Sequence, residues 1–250
     1  MTIRRSLFVV LAVAAAALAV GGLSGLAPFG HYPGPYGDII NAVGTHQQHV
    51  TNMVTAVTFD YRGFDTLGEE YMLFTAVTGV ALLLRDARGT AANARPKRIR
   101  GRPRLGRSEA VMTAGRWFAP VTMVYGVYVV LHAQLTPGGG FQGGVVIASA
   151  LLFFYLGEGY RQWRETVRAP VLDPVEAAGT GLYAAAGFAG LLSGHAFLEN
   201  VLPLGTTGKL VSGGLIIVLN LAVAVAVAAG FALLFVEFLQ ETRQFKGERT

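Results

Sequence analysis

Residues 117–157 read WFAPVTMVYGVYVVLHAQLTPGGGFQGGVVIASALLFFYLG, 41 positions without an Asp, Glu, Lys or Arg. A helix crosses the hydrocarbon of a bilayer in about 20 mainly apolar residues, so this run is too long for one crossing. It is broken at residues 136–144, TPGGGFQGG, where one Pro and five Gly oppose a continuous helix. The stretch therefore reads as a hairpin of two membrane-spanning helices.

Working outward, further charge-free runs cover residues 6–37, 71–84, 177–198 and 210–236. The run at 71–84 is long enough to span only if its helix starts near Thr66, which carries Glu69 and Glu70 into the mouth of the membrane. The expected fold is all-α and integral to the membrane. It has six spans, at about 7–27, 66–84, 117–135, 142–160, 175–193 and 209–238. The final helix is longer than the hydrocarbon needs and must tilt or protrude.

Composition agrees. Of the 250 residues 52% are hydrophobic and 14% charged, against roughly 25% charged in a soluble domain. Cys is absent, which excludes disulfides, thiolate metal sites and cysteine nucleophiles. Ten of the 20 Lys and Arg fall between Arg85 and Arg116. No aromatic residue is interleaved among them, so nucleic acid is not the expected partner. With six spans and cytoplasmic termini, 18 of the 20 basic residues lie on one side, as the positive-inside rule requires. The first helix follows Arg4 and Arg5 and reads as a retained anchor rather than a cleaved signal peptide.

Between the first two spans, Ile39, Val43, Val50, Met53, Val54 and Val57 recur at helical spacing, so residues 38–60 read as an amphipathic helix on the outer surface. His46 and His49 lie three apart on it, but no third ligand is evident, and interfacial packing outweighs a metal site. Walker A, HExxH and GxSxG patterns are all missing, which leaves no catalytic apparatus to assign, and no cofactor is expected.

Ionisable character in the outer half concentrates in residues 57–73, VTFDYRGFDTLGEEYML. Asp60, Arg62 and Asp65 can pair with one another. Thr66 to Glu69 has the form of a capping box. Glu69 is then either a helix cap or a carboxylate held beside an apolar span to exchange protons, and the two readings stand level. Glu70, about 100° further round, is the weaker candidate. His132, one turn before the Gly-rich loop, reads as a packing residue before a proton relay. Glu158 and Glu176 are expected to snorkel to water near the cytoplasmic ends of their helices. Lys209 is expected to mark a helix boundary, and Ala185, Ala186, Gly190 and Gly194 form a small-residue face suited to helix packing.

LHAQLTPGGGFQGGVVIAS, residues 131–149, resembles the most recognisable motif of the MnhB family, the B components of multisubunit Mrp-type cation/proton antiporters. DYRGFDTLGEEYML, residues 60–73, resembles the carboxy-terminal part of the large MrpA component, with its counterpart in membrane-bound hydrogenase complexes. The resemblance divides the chain into a two-helix unit, residues 1–108, and a four-helix MnhB-like domain, residues 109–250. It implies a subunit of a Na+/H+ antiporter, working with the A, C, D, E, F and G components of the Mrp complex in the cell membrane. It suggests Glu69 for the ion path, beside the candidates Asp65, Asp60 and His132. It suggests Pro137, Gly138, Gly139, Gly140, Phe141 and Gln142 as a structural loop. Where a second family His is expected before the glycines, this sequence has Gln134. A hydrogenase-like ion-translocating complex and a passive scaffold remain the alternatives.

Overall fold

The computed structural model describes residues 3–26, 30, 34–93 and 108–247, with side chains for 5–26, 30, 34–84 and 108–240. The basic segment at 94–107, the side chains of 85–93 and those of the tail therefore lie outside the described residues. The chain divides into two units, residues 1–40 and 41–250. The first holds helix α1 (Ile3–Ser24), whose apolar side chains, among them Leu7, Phe8, Leu11 and Leu18, are exposed along its length. Helix α2 (Tyr36–Gln48) begins in the first unit and ends in the second.

The second unit continues with α3 (Met53–Ala56), a π-helical turn (Val57–Tyr61), α4 (Gly63–Asn93), α5 (Glu109–Leu131), α6 (Gly140–Glu158), α7 (Tyr160–Thr166), α8 (Ala169–Leu192) and α9 (Leu215–Gly247). Six helices are long and apolar enough to cross a membrane, with spans Arg5–Ser24, Gly63–Leu84, Glu109–Leu131, Gly140–Glu158, Ala169–Leu192 and Leu215–Gln240. The chain is an all-α membrane protein. No strand occurs among the described residues, which contain a single isolated bridge, Gly205 to Ser212.

Helix α9 is apolar on every face, which suits a helix surrounded by others. Ile216, Leu219, Val223, Val227, Leu233 and Val236 are buried along it. Helices α4, α6 and α8 pack directly on α9, and α5 lies along α6. Without a hydrophobic drive between helices in lipid, close backbone approach through small residues sets such contacts. A Cβ on Gly179 of α8 would stand 2.7 Å from the Ala226 nitrogen of α9, and one on Gly115 of α5 would stand 2.6 Å from the Gly157 nitrogen of α6. At one end of the bundle Trp163 of α7 is fully buried, and its indole N–H donates to the Leu151 carbonyl at 3.1 Å. The other end is closed by the 49–62, 132–139 and 193–214 segments.

Several boundaries differ from expectation, each for a visible reason. Helix α4 starts at Gly63, three residues before Thr66, because the π turn leads straight into it. Helix α5 starts at Glu109 rather than near 117, since Arg116 at its foot is paired with Glu158 at 2.9 Å. Helix α9 starts at Leu215, not near 209. Gly213 and Gly214 take left-handed backbone, φ 89° and 55°, through which a right-handed helix cannot run, and Lys209 sits in the preceding turn. The amphipathic helix expected over 38–60 is broken at His49, whose φ is 54°.

Candidate ion-path site

Two clusters of buried polar groups stand inside the second unit, one at the loop end and one at the α4/α8/α9 contact.

The loop end is built around the Gly-rich hairpin. His132 caps α5, and the chain turns back through Ala133 and Gln134, both buried. Asn52, at the N-cap of α3, donates from Nδ2 to the Ala133 carbonyl at 2.7 Å, the Thr136 carbonyl at 2.9 Å and Thr55 Oγ1 at 2.8 Å. Its Oδ1 accepts from the Val54 N–H at 3.2 Å. Thr55 Oγ1 donates to the Ala133 carbonyl at 2.7 Å. The Thr51 and Asn52 N–H groups donate to the Gln134 carbonyl, and Gln134 Nε2 donates to the carbonyls of Leu131 and Leu210. Three separate segments are thus stitched together by satisfied hydrogen bonds.

The glycines serve packing. A Cβ on Gly140 would collide with the α9 backbone at Asn220 and Ala224. One on Gly143 would strike Val130 of α5, and one on Gly144 would strike Val227 of α9. The start of α6 is therefore wedged between α5 and α9, which accounts for more glycines than a turn needs. Gly138 alone requires its backbone freedom, at φ 149° with Val129 behind it. Phe141 packs on the main core, while Pro137 and Gln142 are exposed. Asn220 reaches from α9 to donate to the Val130 carbonyl at 2.9 Å, tying the last turn of α5 down.

His132 Nδ1 lies 3.0 Å from the Tyr128 carbonyl of its own helix, and its ring stacks on Tyr128 at 4.1 Å. The His46/His49 pair does not form on one helix. His49 lies beyond the end of α2, with Nδ1 2.6 Å from the Gly205 carbonyl. No group of three His, Cys, Asp or Glu gathers among the described residues.

The acidic segment divides by depth. Arg62 Nε donates to Asp65 at 2.6 Å in an exposed ion pair. Asp60 is part-buried and accepts from Gln48 Nε2 at 2.5 Å, and burial pushes its carboxyl above the ordinary carboxylate range. The capping box is not made. Thr66 lies one turn inside α4, and its hydroxyl donates to the Thr58 carbonyl at 2.6 Å. Glu69 is exposed on the surface of this chain, whereas Glu70 is 1% exposed.

Thr66, Glu70, Val77 and Ala81 are all buried, at spacings of four, seven and four. That stripe is the face of α4 turned to α8 and α9. Tyr183 of α8 is fully buried beside it. Its hydroxyl donates to the Gly63 carbonyl at 2.9 Å, and its ring lies 6.5 Å from that of Phe59. Further along, Glu176 of α8 is 3% exposed, and its Oε1 lies 2.7 Å from the place a Cβ on Gly230 of α9 would take. Both Glu70 oxygens and Glu176 Oε1 are buried without a hydrogen-bond partner among the described residues. Glu237, two turns beyond Gly230 on α9, is also buried. The expectation that Glu176 snorkels to water is thus corrected: α9 covers it, and Gly230 makes room for it. Glu158 does lie near water, paired with Arg116 of α5. Gly190 receives the chain's own 196–199 turn rather than another helix, and Gly194 lies beyond α8 with φ 81°.

Sequence reasoning missed Asn52, Asn220 and the inward turn of Glu70 and Glu176. For Asn220 a signal was present, since it is the one amide within the charge-free run 210–236.

Carboxylates buried in membrane-spanning helices without a hydrogen-bond partner among the described residues are the kind of group that marks ion-translocating membrane subunits. Residues 110–233 match the family described as a domain related to the MnhB subunit of Na+/H+ antiporter. The B component of the Na(+)/H(+) antiporter of Alkalihalophilus pseudofirmus is 36% identical over 80 residues, 31% of this chain and 54% of that protein. The A/B component of a probable K(+)/H(+) antiporter of Rhizobium meliloti is 30% identical over 133 residues, 47% of this chain and 13% of that protein. The chain therefore spans about half of one of these relatives and a small part of the other. A chain in the structure of the membrane-bound sulfane sulfur reductase, an archaeal respiratory membrane complex, is 30% identical with a TM-score of 0.68. That match covers 95% of this chain and 99% of that one. A chain in the Mrp complex from Dietzia sp. DQ12-45-1b has the same TM-score at 22% identity, covering 95% of this chain and 26% of that one, and shares the fold. The protein belongs to the MnhB-related family of membrane subunits.

Proposed function

We propose that this chain is a subunit of a multisubunit monovalent cation/proton antiporter, with Na+ and H+ as the exchanged ions and the proton gradient as the energy source. The observation that carries the reading is Glu70, a carboxylate enclosed in a membrane helix with no hydrogen-bond partner and no buried cation among the described residues. Such a group is retained at a cost of several kcal/mol unless it handles ions. The family match supplies the process.

The chain performs no covalent chemistry of its own. The loop end, with residues Pro137 to Gln142, is its rigid outer closure. Asp60, Asp65, Glu69 and His132 form the polar approach on that side, and the termini are cytoplasmic. Residues 1–108 correspond to the A-type unit and 109–250 to the B domain. That division is supported by one archaeal chain matching almost throughout and by the double name of the Rhizobium relative. The partners are the other Mrp components, A and C to G, and Glu69, facing outward from this chain, is placed to meet one of them.

The match to the sulfane sulfur reductase complex favours a second reading, an ion-translocating arm of a respiratory complex. Purification from native membranes through a tag on this chain separates the two. Antiporter subunits together with cation-dependent proton efflux from reconstituted vesicles are the expected result. Reductase subunits of a respiratory complex copurifying in their place would overturn the antiporter reading.

A further inference from the structure

We propose that Glu70 on α4 and Glu176 on α8 are a pair of stations on one proton path that carries H+ between the two halves of this chain, with Gly230 of α9 holding the Glu176 carboxylate in place. The proposal rests on the antiport reading only for the use to which the proton is put.

Glu70 and Val77 lie seven residues apart on one stripe of α4, about 10 Å of helical rise. The Val77 side chain reaches the same point on α9 as Glu176 Oε1, the place a Cβ on Gly230 would take. The two carboxylates thus lie along a single helix contact, Glu176 at the level of Val77 and Glu70 two turns of α4 away.

Among the described residues no buried cation is available to neutralise them. Beside the pair stand Tyr183, Thr180 and Asp173 on α8, Thr66 and Glu69 on α4, and Glu237 further along α9. Among the described residues no Lys, Arg or His is buried. The three hydroxyls are committed to carbonyls: Tyr183 to Gly63, Thr66 to Thr58 and Thr180 to Glu176. Two carboxylates with no ring of further oxygens cannot replace the hydration shell of a metal cation, whereas a proton needs one oxygen. A carboxylate enclosed with no cation beside it among the described residues is disfavoured, so a proton is the ion these groups are suited to hold.

Transfer breaks one carboxyl O–H bond and forms another, relayed by water admitted as the site opens, with no change of oxidation state. Glu70 exchanges toward the loop end and Glu176 toward the α7 end. Gly230 acts as a positioning residue. A methyl there would stand 2.7 Å from Glu176 Oε1 and 3.3 Å from Val77, and would push the carboxylate out of line.

The test uses the whole complex, purified with its other subunits and reconstituted in proteoliposomes. Glu70→Gln and Glu176→Gln are each expected to lower cation/proton exchange at least tenfold while assembly is unchanged. The double variant should be no slower than the worse single one, because the two groups act as a unit. Gly230→Ala should move the pH profile of exchange without changing the apparent cation affinity. Infrared difference spectra between low and high pH should show a protonated-carboxyl band that each Gln variant reduces. Where a Gln variant assembles poorly, Glu70→Asp and Glu176→Asp keep the titrating group and should restore assembly with the band displaced. Exchange at the wild-type rate in both Gln variants, with the band intact, overturns the pair and leaves the antiport reading standing. The band without any cation-dependent exchange in the wild type overturns the antiport reading and leaves the pair.

Discussion

The Asn52 cluster and the Glu70–Glu176 pair are buried to nearly the same degree and treated in opposite ways. At the loop end every buried donor named on Asn52 and Thr55 meets a carbonyl or hydroxyl between 2.7 and 2.9 Å. At the α4/α8/α9 contact three carboxylate oxygens have no partner among the described residues. A satisfied network specifies one arrangement of its segments, whereas an unsatisfied acid costs stability wherever it is found. Removing the first should harm the fold and spare the transport step; removing the second should do the reverse.

The strongest challenge to that contrast is made at the loop end. Gly140→Val places a branched side chain against the Asn220 carbonyl and the Ala224 nitrogen, backbone atoms that cannot swing aside. The expected cost is about 3 kcal/mol or more, read as loss of assembled complex and of thermal stability in detergent. A variant that assembles normally would mean that α6 is not wedged against α9.

Asn52→Ala comes next. It strands the Thr136 carbonyl and the Val54 N–H and leaves the Ala133 carbonyl to Thr55 alone, at an expected cost of about 2 kcal/mol. The midpoint of thermal unfolding should fall, while exchange per assembled complex stays near the wild-type value. A selective loss of exchange with stability preserved would move the functional site to the loop end.

Glu70→Gln should change stability little, or raise it, since it removes a group that favours neither burial nor the neighbouring acid. The same measurement sharpens the comparison: a large destabilisation would make Glu70 a structural group whose partner lies outside the described residues.

These contrasts are not equally visible in the sequence. The spans are, because lipid excludes charge and the runs without Asp, Glu, Lys or Arg are long. The break at residues 136–144 is visible for the same kind of reason, since Pro and Gly act locally. The choice between Glu69 and Glu70 is not. In water the polar face of a helix announces which side is out, but α4 is apolar on both its lipid-facing and its bundle-facing sides, so a 100° step carries no contrast. Only the stripe of Thr66, Glu70, Val77 and Ala81, once packed on α8 and α9, makes it. Glu176 was misjudged because nearness to the end of a helix does not tell whether a neighbouring helix covers it. The five glycines were readable as more than a turn, but their partners on α5 and α9 are distant in sequence.

The smallest expected effect lies between the two regions, at Asp60, part-buried in the π turn that joins them. Its carboxyl is raised by burial, so the folded segment favours the protonated acid and the unfolded one releases its proton at lower pH. Stability from this group is therefore fully present below the ordinary Asp value of 3.8 and declines as pH rises through the higher folded value. Protection of residues 53–62 against hydrogen exchange, taken relative to the intrinsic rate at each pH, should fall slightly across that window in the wild type. In Asp60→Asn, which keeps an acceptor for Gln48 Nε2, the pH dependence should flatten. If protection instead increased with pH, the charged form would be the one the folded segment favours, and a cation rather than Gln48 would be the group that sets the state of Asp60.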